Sequence, residues 1–390
     1  PAKSGPLAWF ESGIDATRSV YARLVRRLIR LITACLVALI GVSVLTGWLF
    51  TLTPTGFVPA EDRGAFFVDI RLPDGAALSR TAAVVSEVEG IISGTPGVAD
   101  VMTVGGYSML QGAVVPNGAF VIAVLEPWAE RTTKELSLRG ILSSVAPKLA
   151  AVRSATIIPF NPPPIPGLGT TGGFEFILQD TEGRPPQALQ SALGGLIVAA
   201  NGRPELERVF STYRASSPQF LIDVNRDLAK SKGVAISEIF TVLNANFGSY
   251  YVNDFNKFGR VYRVYVQAEA ERRSEPGDIG KLFVRSKTGE MVPLRSLVRV
   301  EPVLGPESIE RYNMFRSATV NGQPAGGYSS GQAIAAMDAV AATTLPAGFA
   351  SEWTGMSLEE IKAGEAGSFV FVLSILFAYL FLVAQYESWT

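Results

Sequence analysis

Few residues in this chain could carry chemistry, and their types narrow the choice. There is no histidine, which removes Ser-His-Asp and Cys-His nucleophile pairs and any imidazole metal site. The single cysteine, Cys35, sits inside an apolar run, so no disulfide forms within the chain. Gly280-Lys281 ends like a phosphate loop, but Leu282 follows it and Glu275 stands where the first glycine is needed. The six methionines are dispersed apart from Met102 and Met109, whereas a soft-metal site would cluster them. No cofactor and no metal ion is expected. Lys+Arg 34 against Asp+Glu 35 leaves a net charge of −1, which implies no basic surface for nucleic acid. Two groups remain. Glu61-Asp62-Arg63 lie just beyond an apolar run. Gly105-Gly106-Tyr107-Ser108-Met109-Leu110-Gln111-Gly112 combines backbone freedom with adaptable apolar contact; its plainer reading is an ordinary hairpin loop.

Elements must position these groups. With 48% hydrophobic and 18% charged residues, the composition predicts membrane segments joined to a sizeable soluble part. Leu31–Leu52 carries no charge and has Trp48 near its far end as an interface anchor; as a helix it would span about 33 Å. Ser368–Gln385 is a second uncharged run, rich in Phe, Leu and Val. For both, the alternative is a buried core helix. Arg18, Arg23, Arg26, Arg27 and Arg30 precede the first run, so residues 1–30 read as a cytoplasmic or interfacial amphipathic segment. The chain then emerges near Thr53 and returns near Gly367, with the long loop between them outside. Pro1-Ala2-Lys3 at the start and Trp389-Thr390 at the end read as cuts through a longer protein.

The loop alternates strand and helix patterns. Phe66–Leu72 predicts a strand, Pro73-Asp74-Gly75 a turn, and Leu78, Ala82, Val85, Val88 and Ile92 a helix stopped by Gly94 and Pro96. Val98–Val104, Ala119–Leu125, a helix over 133–151 and a short strand at 155–158 stopped by Pro159 complete a β-α-β-β-α-β order, the split ferredoxin-like plan. Asn161–Gly167 is rich in Pro and Gly and reads as a boundary. Phe174–Leu178 opens a third β-α-β unit ending near Val209–Tyr213, and a fourth runs from Ser317–Val320 through a helix at 330–343 to Phe349–Trp353. These two halves are expected to form one subdomain split by an insertion at 217–305. The insertion holds a strand at Phe220–Val224, a helix at Arg226–Lys232 and a strand at Val261–Val266. A further helix is capped by Ser237, with Phe240, Leu243 and Phe247 on one face, and a hairpin turns at Lys287–Glu290.

Motifs now stand in a particular order: Pro54-Thr55-Gly56-Phe57-Val58-Pro59-Ala60-Glu61-Asp62-Arg63-Gly64, Pro127-Trp128-Ala129-Glu130-Arg131, Ser217-Pro218-Gln219-Phe220, Tyr251-Val252-Asn253-Asp254-Phe255 before Gly259-Arg260-Val261, Trp353-Thr354-Gly355-Met356-Ser357, and Tyr386-Glu387-Ser388-Trp389. Together they resemble the resistance-nodulation-division exporters, hydrophobe/amphiphile branch, over essentially the whole chain. The resemblance implies an α+β membrane protein fragment. Two transmembrane helices, 31–52 and 368–385, resemble the seventh and eighth of twelve. They flank a periplasmic loop of ferredoxin-like porter subdomains, 53–167 and 168–216 with 306–365, and an inserted docking subdomain at 217–305. It implies a secondary transporter of the bacterial inner membrane rather than an enzyme. Its cargo would be small amphiphilic drugs or other hydrophobic compounds. The full-length protein would be a homotrimer joined to a periplasmic adaptor and an outer-membrane channel.

It also implies roles for residues. Gly105–Gly112 resembles the switch loop between the entrance cleft and the deeper pocket. Met102, Tyr107, Met109 and Ile122 stand at pocket positions where Phe is common in the family. The loop is longer here, with Pro116-Asn117-Gly118 after it, so the drug range does not carry over. Phe160, Phe210 and Thr212 match further pocket or entrance positions, with core packing as the alternative for each. Glu61, Asp62 and Phe66 match the cleft entrance, with a solvated loop as the alternative for the two acids. Asn253, Asp254 and Arg260 read as structural. Neither apolar run contains an acidic or basic side chain, so the proton relay is expected on other spans. The competing readings are a heavy-metal or other-cargo member of the same superfamily, and a two-span periplasmic scaffold.

Overall fold

The computed structural model describes residues 6–53, 56–58 and 61–389. Pro54, Thr55, Pro59 and Ala60 of the first motif, and the two chain ends at Pro1-Ala2-Lys3 and Thr390, lie outside them. Helices α1 (Pro6–Arg30) and α2 (Ile32–Leu52) are separated by a turn at Leu31. Among the described residues one helix is long and apolar enough to cross a membrane, Gly355–Tyr386 at the other end of the chain, while α2 contributes a shorter apolar stretch, Thr33–Leu49.

The first α/β unit runs β1 (Ala65–Arg71), α3 (Leu78–Ser93), β2 (Val98–Ser108), β3 (Ala113–Leu125), α4 (Leu138–Ala150) and β4 (Thr156–Phe160). Its sheet has the order β2-β3-β1-β4 with every neighbour antiparallel, the arrangement of the split β-α-β plan. Side chains alternate across a strand, and β1 sorts them sharply. Phe66, Val68 and Ile70, with Leu72 just beyond the strand, enter a core shared with Val85, Val88 and Ile92 of α3 and Ile141, Val145 and Leu149 of α4. Each such side chain contributes about 1.5–3 kcal/mol by leaving water. Phe67, Asp69 and Arg71 therefore project from the opposite, helix-free face. Strand β4 does not stop at Pro159 but runs through it, opposite Val68. It is an edge strand, where a missing N–H costs no ladder bond.

The second unit begins with β5 (Phe174–Asp180), α5 (Pro186–Asn201) and β6 (Leu206–Phe210). The chain then leaves through β7 (Ser217–Val224), α6 (Arg226–Ser231), α7 (Ile236–Leu243), β8 (Tyr250–Lys257), β9 (Arg260–Val266), β10 (Phe283–Arg285), β11 (Met291–Pro293) and β12 (Val298–Gly305). It returns as β13 (Glu310–Tyr312), β14 (Phe315–Pro324), α8 (Ser330–Thr344), β15 (Phe349–Thr354) and α9 (Gly355–Tyr386). Strands from before and after the excursion share one sheet, β14-β5-β15 with both β6 and β13 on β14. The excursion is closed at its neck by β7 paired to β12, from Ser217↔Gly305 to Val224↔Val298. Ser237 does not cap α7. The helix starts one residue earlier, with Ala235 at its N-cap and no side-chain cap. Its buried stripe is Ile239 and Leu243, four apart on one face, and Phe240, a step round the helix, is 51% exposed. The second apolar run is the far part of α9, which starts directly from β15 rather than after a linker.

Candidate functional site

The helix-free face of the first sheet is aromatic. Phe67 of β1 lies opposite Ile122 of β3 and Phe160 of β4, and Asp69 lies between Phe120 of β3 and Ile158 of β4. The Phe67 ring meets Phe120 edge-on at 5.1 Å and Phe160 at 5.9 Å, the arrangement that ring quadrupoles favour. Over this patch folds the end of the β2–β3 hairpin. Tyr107, Met109 and Leu110 pack on Phe120 and Phe160, and Phe210 at the end of β6 joins them from the second sheet.

Gly105, Gly106, Tyr107 and Ser108, expected in a loop, are the last residues of β2. Only Met109, Leu110, Gln111 and Gly112 turn, with the Gly112 N–H donating to the Met109 carbonyl at 3.2 Å. The pairing slips between Gly105 and Tyr107, and Gly106 takes a positive φ of 80° there, a bulge that bends the hairpin. Beyond the bulge the two strands pair again, Tyr107 with Val114 and Ser108 with Ala113. A polar latch holds the turn. Ser108 Oγ donates to Asp69 Oδ1 at 2.9 Å, the Leu110 N–H donates to the same oxygen at 3.4 Å, and the Gln111 N–H donates to Ser108 Oγ at 3.3 Å. Burial pushes the Asp69 carboxyl up to about 6, against the pull of the Ser108 hydroxyl, the Leu110 and Met109 N–H groups and the Arg71 charge.

Arg71 extends the face toward the second unit. Its guanidinium pairs with Glu307, lies 3.7 Å from Asp74, and donates to the Thr212 carbonyl at 3.5 Å. Ser217 Oγ donates to Asp74 at 2.6 Å. Arg71, Thr212 and Glu307, with Gln111, Tyr213 and Thr319, line a narrow polar cleft between the two sheets. A separate cavity of about 460 Å³ opens where α9 begins, lined by Phe57, Val58, Phe174, Tyr328, Met356 and Glu360 among others.

The predicted site residues divide accordingly. Tyr107, Met109, Ile122, Phe160 and Phe210 come together on the aromatic face, and Thr212 lies in the polar cleft beside it. Met102, opposite Ile122, stays 54% exposed. Phe66, expected at the cleft entrance, is fully buried on the helix side of the sheet, away from the aromatic face. Asp62 is not a free acid. Arg131, 2% exposed at its side chain, grips it through two bonds of 2.7 and 3.0 Å, and the Gly64 and Leu138 N–H groups donate to it as well. That pairing, Arg131 foremost, holds the Asp62 carboxyl down at about 2. Glu61 is exposed next to it. Sequence reading missed Phe67, Asp69, Arg71 and Phe120. The signal was the period-two alternation of Phe66–Leu72, whose odd positions face away from the core.

The AcrB/AcrD/AcrF family matches residues 2–390. This chain belongs to that family. It is 34% identical to the multidrug/solvent efflux pump membrane transporter MepB of Pseudomonas putida and 36% identical to the multidrug export protein AcrF of Escherichia coli, in each case over the whole chain. It is 35% identical to the multidrug resistance protein MdtF of Escherichia coli over 96% of the chain. The chain spans 36–38% of the length of these relatives. They are transporters of the resistance-nodulation-division type, a family of secondary transporters and not of enzymes.

Proposed function

We propose that this chain is the second porter region of a proton-driven exporter of small amphiphilic drugs or other hydrophobic compounds, set in the bacterial inner membrane with its α/β units in the periplasm. On this reading α2 and α9 are the spans that bracket the loop. The units at 53–167 and at 168–216 with 306–365 are the two porter subdomains, and 217–305 is the docking subdomain. The observation that carries the reading is the aromatic face of the first sheet under a hairpin turn. A patch of Phe67, Phe120 and Phe160 covered by Tyr107, Met109 and Leu110 offers apolar contact without fixed hydrogen bonds. Such a surface accepts many shapes when its cover moves. The cleft at Thr212 and Gln111 gives a polar approach from the second unit. The full-length protein is a homotrimer on this reading, joined to a periplasmic adaptor and an outer-membrane channel, with its proton relay on spans outside this chain.

The test is drug accumulation in cells lacking their own major exporters, with the full-length protein expressed with and without Tyr107→Ala plus Met109→Ala. Lower accumulation with the parent, and an altered set of affected drugs with the variant, supports the reading. Protection against a metal ion with no effect on any dye or drug points instead to the heavy-metal or other-cargo alternative.

A further inference from the structure

Asp69 is a carboxylate set among aromatic and aliphatic side chains, with Arg71 further along the same face. Strand alternation places it there, with Phe67 before it on the same side and Phe120 and Ile158 directly across from it in register. It is 2% exposed. The hydrogen-bond donors that compensate its burial come from the cover: the Ser108 hydroxyl at 2.9 and 3.2 Å and the Leu110 N–H at 3.4 Å. Among the described ion pairs none involves Asp69. Arg71, two residues along the strand, directs its guanidinium to Glu307, Asp74 and the Thr212 carbonyl instead.

A ligand that enters beneath the turn must separate Asp69 from Ser108 and Leu110. An ionised carboxylate stripped of its donors among aromatic rings is costly. A ligand bearing a protonated amine replaces the lost donors and adds an opposite charge, and the faces of Phe67 and Phe120 attract the same cation. A neutral or anionic ligand does neither. We propose that Asp69 is the specificity-determining residue of this face and selects amphiphiles that carry a protonated amine. The inference rests on the cargo reading given above. The Asp69 carboxyl sits at about 6, so near neutral pH it is ionised most of the time and able to pair with a cation.

The test uses the full-length protein in nanodiscs and a matched pair of naphthalene fluorophores with one alkyl chain. One carries a terminal primary ammonium; in the other a hydroxyl replaces it. Binding is read by fluorescence polarisation for the parent, Asp69→Asn and Ser108→Ala. Asn keeps the shape and an acceptor for Ser108, so the fold is retained. The expected result is a loss of ammonium-probe affinity of tenfold or more in Asp69→Asn with the hydroxyl probe unchanged, and ammonium binding retained or strengthened in Ser108→Ala, where the carboxylate is freer. Equal weakening of both probes by both variants makes Asp69 a turn-holding residue and overturns the inference, as does ammonium binding indifferent to Asp69→Asn. If the parent binds neither probe, the cargo reading itself fails, and the inference with it.

Discussion

The two ferredoxin-like sheets share a strand order but use their outer faces differently. In the first, β1 presents Phe67, Asp69 and Arg71 away from the helices, and the chain's own hairpin turn covers the aromatic part. In the second, β5 is buried along its whole length. Its core side carries Phe174, Phe176 and Leu178; its other side carries Glu175, Ile177 and Gln179. Those polar groups are committed to structure. Glu175 accepts from the Thr170 N–H and from its hydroxyl, and Gln179 donates to Glu352 at 3.1 Å. The start of α9 lies close by, so that a Cβ added at Gly355 would come within 3.0 Å of the Glu175 carboxylate. One topology thus yields an aromatic face under a hairpin turn in one copy and a buried polar seam beside the start of a long helix in the other. The deciding variable is what each central strand places on its helix-free side.

The largest expected effect is on the shared feature. Phe66→Ala and Phe176→Ala each remove a fully buried ring from a helix-side core and are expected to cost about 3–5 kcal/mol, read by denaturant unfolding of the full-length protein. Normal stability in either variant would break the equivalence of the two cores. Next comes the buried carboxyl of the first sheet. Its folded value near 6 lies above the usual carboxylate value of 3.8, so the folded state binds the proton more tightly. Stability from this group is fully present below about 4 and is lost as pH rises through about 6, a change of about 3 kcal/mol. Asp69→Asn is expected to flatten the stability profile between those limits, and an unchanged profile would show that the carboxylate is not desolvated.

Asp62 works with the opposite sign. Arg131 holds it at about 2, so its contribution is present above about 4 and fades as pH falls toward 2, a trend that Asp62→Asn removes. Phe67→Ala is expected to cost about 1–2 kcal/mol, less than Phe66→Ala, because its ring is only partly buried. It should weaken apolar probe binding in the same nanodisc assay. The smallest effect belongs to the second sheet's seam. Glu175→Gln is expected to lower stability by about 1 kcal/mol and to leave probe binding alone. A shift in probe binding there would mean that both outer faces contact cargo.

Much of this was legible in the residues. The periodicity of Leu78–Ile92 and the strand at Phe66–Leu72 need only local spacing, and both elements form. Cap and face assignments were less secure. Ser237 looks like a cap, yet it lies inside the helix and Ala235 takes the cap position without a side-chain bond. Phe66 and Phe67 are the same residue type one position apart. Spacing says that they face opposite ways, but not which side the helices cover.

By itself, the sequence determined the order of strands and helices, the absence of imidazole chemistry, the long apolar runs near both ends, and a set of motifs specific enough to mark the family. These depend on residue type and short-range spacing, which the linear chain carries in full. Only the tertiary structure decided that strands from either side of the 217–305 excursion share a sheet, that Gly105–Ser108 continue a strand, that Asp62 is bound to Arg131, and that Asp69 lies beneath the hairpin turn. Apart from the hairpin at Gly105–Ser108, whose partners lie 5 to 14 positions away, each joins residues tens to more than a hundred positions apart. No local pattern records such a pairing, because its free energy comes from burial and charge contacts that exist only once the chain has folded.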